Sequence, residues 1–180
     1  IQKYDYHRVA QLIQELKPEL ECDHHGDSPY DLATRVIKDE RPFHPERLWL
    51  VCQEYLDPRI YRSKGFFWLA SRSKDSLLWN QAAGSISLEL IGTWRSAIIE
   101  DPHHGLSSME IKMLKEQLAK QSGDFGDRKC DLTIIGDKEH VDAFTQAIQS
   151  CFLTEEEVIL WKKGHPFNDP WPQSITKIKG

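Results

Sequence analysis

Two histidine pairs carry the clearest chemical potential in the chain. DHHGD, Asp23 to Asp27, and DPHHG, Asp101 to Gly105, each set two imidazoles beside acidic residues in polar, loop-like stretches. Imidazole nitrogen and carboxylate oxygen both suit zinc, cobalt or nickel, and Cys22 adds a soft donor at C-x-H-H spacing. The candidate metal ligands are therefore Cys22, His24, His25, His103 and His104. Adjacent histidines converge on one ion only where the loop is shaped for it, so the competing reading is two solvated loops.

Other reactive-looking groups have structural explanations. His44 in RPFHPER could be a ligand or a base, but its place before Pro45 favours a helix cap. Arg41 and Arg47 could hold an anion, but a salt bridge to Asp39, Glu40 or Glu46 is the favoured reading. Asp127-Arg128-Lys129 reads as a paired, turn-forming cluster. Glu155, Glu156 and Glu157 complement the dipole at a helix start. The sequence has no GxxxxGK(S/T) or GxGxxG phosphate loop and no GxSxG elbow. DFG at Asp124 to Gly126 stands without the other kinase motifs. No catalytic residue is assigned.

KGFFWLASR, Lys64 to Arg72, places aromatic rings beside positive charges. It could stack a base or fill a core. The elements around it favour a core strand. Val9, Leu12, Ile13 and Leu16 share one face of a first helix that Pro18 ends. A polar linker follows, with a boundary near Ser28. LATRVIKDE alternates as a strand, Ala33 against Thr34 and Val36 against Arg35. Pro45 opens a helix with Leu48, Val51, Cys52 and Tyr55 as its buried stripe, and Asp57-Pro58 closes it. The strand reaching Phe66 to Ala70 is apolar on both faces, as in a central strand.

Further on, Gly84 marks a bend or bulge in a segment too long for one strand. Beyond it Ile86, Leu88 and Leu90 alternate with polar residues. Gly92-Thr93 fits a hairpin turn, with Trp94 to Ile99 returning as a strand. Ser107 and Glu110 have capping-box spacing, and Ile111, Leu114 and Leu118 make a thin stripe suited to a peripheral helix. Cys130 to Ile135 is a strand. Asp137 caps a helix with Val141, Phe144, Ile148 and Cys151 on its core face. Thr154 and Glu157 begin a last short helix before a proline-rich tail. The result is an α/β fold of the α+β type: a two-layer sandwich, mostly antiparallel, with helices on one face and ferredoxin-like in flavour.

Composition narrows the partners. The chain has 180 residues, is 39% hydrophobic and 28% charged, and its six Trp, seven Phe and five Tyr are enough to fill a core. A net charge of −5 argues against nucleic acid. No apolar run approaches the roughly 20 residues that span a bilayer. The four cysteines lack CxxC spacing, which points to reduced thiols and a cytoplasmic protein. An exposed face around Trp49, Trp94 or Trp161 would mark self-association.

RPFHPERLW, KGFFWLASR, LLWNQAAGSISLE, FGDRKCDLTIIGD and FLTEEE, in this order and spacing, resemble the C-terminal domain of CobW-type proteins. Those are P-loop GTPases related to UreG and HypB, regarded as zinc or cobalt chaperones. The resemblance spans about Thr34 to Trp171. LIQELKPELE resembles the end of their GTPase domain, with Lys17 where the family has Asn. It implies two parts: residues 1–28, a remnant GTPase-domain helix and linker, and residues 29–180, the CobW C-terminal-like domain. Walker A, Cys-x-Cys-Cys and NKxD are absent. The implied role is then an accessory domain without GTPase activity of its own. GTP and the metal are expected in the longer protein. Its partners would be the N-terminal GTPase domain, a second subunit or a client metalloprotein. The alternative is a small metal-binding module built on the Cys22/His24/His25 or His103/His104 sites.

Overall fold

The computed structural model describes residues 31–82, 84–121 and 123–173. The Ser28 boundary, the first helix and Cys22, His24 and His25 lie outside them. From Leu32 the elements run β1 (Leu32–Asp39), α1 (Pro45–Tyr55), β2 (Ile60–Phe67), β3 (Asp75–Ala82) and β4 (Ser85–Thr93). Then come α2 (Arg95–Glu100), α3 (Ser108–Ala119), β5 (Cys130–Asp137), α4 (Lys138–Gln149) and α5 (Glu155–Lys162). The five strands form one antiparallel sheet in the order β1-β5-β2-β3-β4. β1 and β2 both pair with β5, so β1-α1-β2 is a split β-α-β unit with the last strand inserted into it. α4 lies on β1 and β5, and α1 packs beside α4.

Strand register decides which residues meet the helices. Ile37, Leu132, Gly65, Trp79 and Leu88 pair successively across all five strands and make one continuous row. Its four side chains are buried. The next row pairs Ile134 with Ser63, Gln81 and Ile86. Its two polar members are buried but satisfied. Trp79 Nε1 donates to Ser63 Oγ at 2.8 Å, Ser63 Oγ to Gln81 Oε1 at 2.9 Å, and Gln81 Nε2 to the Ile60 carbonyl at 3.0 Å. A slip of β3 against β2 would strand these groups without partners, so the relay fixes register as well as filling space.

KGFFWLASR does enter the core. Phe66 to Ala70 are all buried, on the central strand and the loop after it. Trp68 Nε1 donates to the Glu40 carbonyl at 3.1 Å, and its ring meets Phe125 and Trp161 edge-on. The expected core face of α4 is present in Val141, Phe144 and Ile148; Cys151 is buried too, but in the turn beyond the helix end. α3 is peripheral: Ile111, Leu114 and Leu118 are only half-buried. Trp94 is buried, and Trp49 and Trp161 pack half-buried against the core.

Several local expectations are corrected. Gly92-Thr93 is not a hairpin turn. β4 continues to Thr93, which pairs with Asp75, and residues 95–100 form α2 rather than a strand. The Asp127 carboxylate accepts from the Arg95 and Ser96 amides and from Ser96 Oγ. A cap supplied from about thirty residues downstream has no local signature. Gly84 is itself the hairpin turn, at φ 75° between the paired Ala82 and Ser85. On β1 the inward residues are Ala33 and Ile37, and Val36 faces out. On α1 Leu48 and Cys52 are buried, whereas Tyr55 in the final turn is exposed and Leu56 packs on the core instead. Leu90, beside the bulge that twists the edge strand β4, is exposed. Asp137 occupies the cap position of α4, but its side chain bonds His140 rather than the helix backbone.

Gly65 sits where no side chain fits. A Cβ there would overlap the Asp131 carbonyl oxygen and come within 2.7 Å of Leu132 Cα, both on β5. Gly65→Ala should therefore cost about 3 kcal/mol or more, since backbone must move to admit it. Urea unfolding followed by tryptophan fluorescence should show the midpoint fall accordingly.

Candidate functional site

The second histidine pair lies in a turn organised by Asp101, at the C-terminal end of α2. Asp101 Oδ1 accepts from the His103 amide at 2.9 Å and Oδ2 from Lys74 Nζ at 3.1 Å. These bonds hold its carboxyl below the usual range. His104 Nδ1 accepts from the Leu106 amide at 3.0 Å. His103 is exposed. Among the described residues no three His, Cys, Asp or Glu side chains converge as a metal site.

The charged residues singled out in the sequence divide into local pairs and links between distant elements. Arg41 pairs with Asp39 at 2.7 Å, as its spacing implies. Arg47 instead reaches across to Glu157 on α5, with bonds of 2.6 and 2.8 Å, and to the Phe152 carbonyl at 3.0 Å. Glu157 also closes the capping box with Thr154. The Arg47 hydrogen bond holds its carboxyl down to about 2. His44 is a helix cap: Nδ1 accepts from the Arg47 amide at 3.4 Å. Burial, with Arg47 close by, lowers its pKa.

An open cleft of about 520 Å³ lies between the loop after β2 and the end of α5. Ser71, Ser73 and Glu100 line one side, and Trp161, Lys162 and Phe167 the other. Arg128, almost fully buried, anchors this region. It donates to both Glu100 carboxylate oxygens at 3.1 and 2.7 Å, to the Ser73 carbonyl at 2.8 Å and to the Phe125 carbonyl at 3.3 Å. Its guanidinium lies 5.5 Å from the Trp68 ring centroid and 6.0 Å from that of Trp161. Each of the three guanidinium nitrogens has a hydrogen-bond partner, as a buried cation requires. Lys129 covers Phe66 at 5.7 Å on the opposite face of the sheet. The sequence showed a paired cluster at residues 127–129, but its partners, Glu100 and two indoles, are far away in the chain.

The family described as "Cobalamin synthesis protein cobW C-terminal domain" matches residues 32–152. A Dictyostelium discoideum protein, "Zinc-regulated GTPase metalloprotein activator 1", is 29% identical over 153 residues, covering 83% of this chain and 30% of that protein. "Zinc chaperone Rv0106" of Mycobacterium tuberculosis is 25% identical over 142 residues, covering 78% of this chain and 34% of the relative. The chain thus spans about a third of the length of these relatives. The solved structure of a Zn(II)-bound triple mutant of the YjiA GTPase aligns over 68% of this chain and 30% of its own, with a TM-score of 0.46 at 14% identity.

Two measurements follow from these contacts. Glu157 has a depressed folded pKa, so the Arg47 pair contributes fully above the unfolded value of about 4.3 and is lost as pH falls towards 2. Glu157→Gln should lower stability at pH 7 by about 1–2 kcal/mol and flatten the acid-side decline between pH 5 and 2. Urea midpoints across that range would show it. Zinc content after equilibrium dialysis should be unchanged in a His103→Ala, His104→Ala variant; loss of a stoichiometric zinc would place a site in the Asp101 turn.

Proposed function

The chain belongs to the family of the cobW C-terminal domain, and on that premise we propose that it is the accessory domain of a GTP-dependent metallochaperone. Zinc is the metal the relatives' names point to. In this reading the GTP and the principal metal are held by a GTPase domain of the longer protein, and this domain serves contact. It meets the GTPase domain, a second subunit or the client metalloprotein. Both the chaperone and its client act in the cytoplasm, where the thiols of Cys52, Cys130 and Cys151 stay reduced.

One observation carries the reading. The chain aligns along most of its own length with about a third of two relatives, one named a zinc-regulated GTPase metalloprotein activator and the other a zinc chaperone, and it lacks the phosphate loop that a GTPase needs. The structure is compatible with a contact role. The conspicuous charged side chains are engaged in ion pairs that hold the fold, and β1 exposes Thr34, Val36 and Lys38 on the sheet face opposite α4.

The test is genetic and enzymatic. The reading frame upstream of Ile1 should encode a GxxxxGK(S/T) loop, and the full product should hydrolyse GTP while the 180-residue chain alone does not. A frame without that loop, or GTP turnover by the isolated chain, overturns the proposal.

A further inference from the structure

Beyond α5 the chain runs without regular structure from His165 to Gln173, yet Trp171 is 2% exposed and the Asp169 side chain 11%. This strap lies outside the stretch that matches the family, residues 32–152. The groups that grip it lie inside that stretch. Arg72 alone makes four bonds to it. Nε and Nη2 donate to the Asp169 carboxylate at 2.8 and 3.2 Å, Nη2 to the Trp171 carbonyl at 2.8 Å and Nη1 to the Pro172 carbonyl at 3.1 Å. Ser71 Oγ adds a bond to Asp169 at 2.6 Å. Trp171 Nε1 donates to the Pro45 carbonyl at 2.9 Å, and its ring meets Trp49 edge-on at 5.0 Å.

These are the parts of a peptide-recognition site. A guanidinium fork reads a carboxylate, a carbonyl reads an indole N–H, and an aromatic wall accepts the indole ring. Pro170 between the two anchors restricts the segment and reduces the entropy lost on ordering it. We propose that Arg72, Ser71, Pro45 and Trp49 form a groove for Asp-x-Trp segments. The chain's own Asp169-Pro170-Trp171 fills it in cis, and a partner protein presenting the same pattern displaces it. The strap also carries Phe167, one wall of the cleft beneath α5, so displacement would open that cleft. The cis strap competes at the high local concentration of a tethered ligand, which keeps the groove closed to weak partners.

The probe is a fluorescein-labelled peptide of sequence PFNDPWP, titrated against the full chain by anisotropy. Trp171→Ala, which weakens the strap and leaves the groove intact, should bind it about tenfold or more tightly than the wild type does. Adding Arg72→Ala should abolish binding. A folded Trp171→Ala chain that ignores the peptide, or equal binding to all three proteins, overturns the groove. The wild type supplies an independent measurement should that variant fail to fold. By NMR, the Trp171 indole N–H should exchange with solvent at least about tenfold faster than that of Trp79, because the strap opens without global unfolding. Equal rates would make the strap a fixed part of the core and sink the proposal.

Discussion

Insertion of β5 between β1 and β2 is the constraint on which the rest of the fold depends. The last strand enters between β1 and the β2-β3-β4 meander, joining the two, and it brings Leu132 and Ile134 into the middle of the core. Its backbone passes so close to β2 that only glycine is accommodated at position 65. Trp79, the partner of Gly65 on β3, stands beside a residue with no side chain, and its indole nitrogen reaches Ser63. The close approach, the large ring and the buried polar relay form one arrangement, and each requires the register that the others impose.

Once that sheet is set, arginines join what its strands leave apart. Arg47 ties α1 to α5, Arg128 ties the turn before β5 to the end of α2, and Arg72 ties the loop after β2 to the strap. In each case the planar fork meets a carboxylate and a backbone carbonyl together, which a lysine could not do with the same geometry. Arg128 and Arg72 are enclosed enough that losing a partner would leave a charge shielded from water. Arg47 and Arg128, which look reactive in the sequence, are thereby committed to structure.

Periodicity and capping chemistry were enough to read much of the architecture. The α4 core face, the two capping boxes at Ser107 and Thr154, the His44 cap and the burial of Phe66 to Ala70 all follow from spacing within a few residues. Such signals are local, and the physics behind them acts within one or two turns of chain. The candidate site was less legible. The imidazoles at 103 and 104 were visible, but the Leu106 amide that takes up the Nδ1 of His104 was not.

What the sequence determined by itself was an aromatic-rich α/β domain of mostly antiparallel sheet, without a phosphate loop, with the motif order of the CobW C-terminal family. Tertiary structure alone decided that residues 95–100 form a helix rather than a strand, that Arg47 pairs with Glu157 and not with Glu46, and that a proline-rich tail is buried through Trp171. Each of these depends on a partner between about thirty and more than a hundred residues away. Its energy arises only when the sheet has brought the two together, and no window of neighbouring residues contains it.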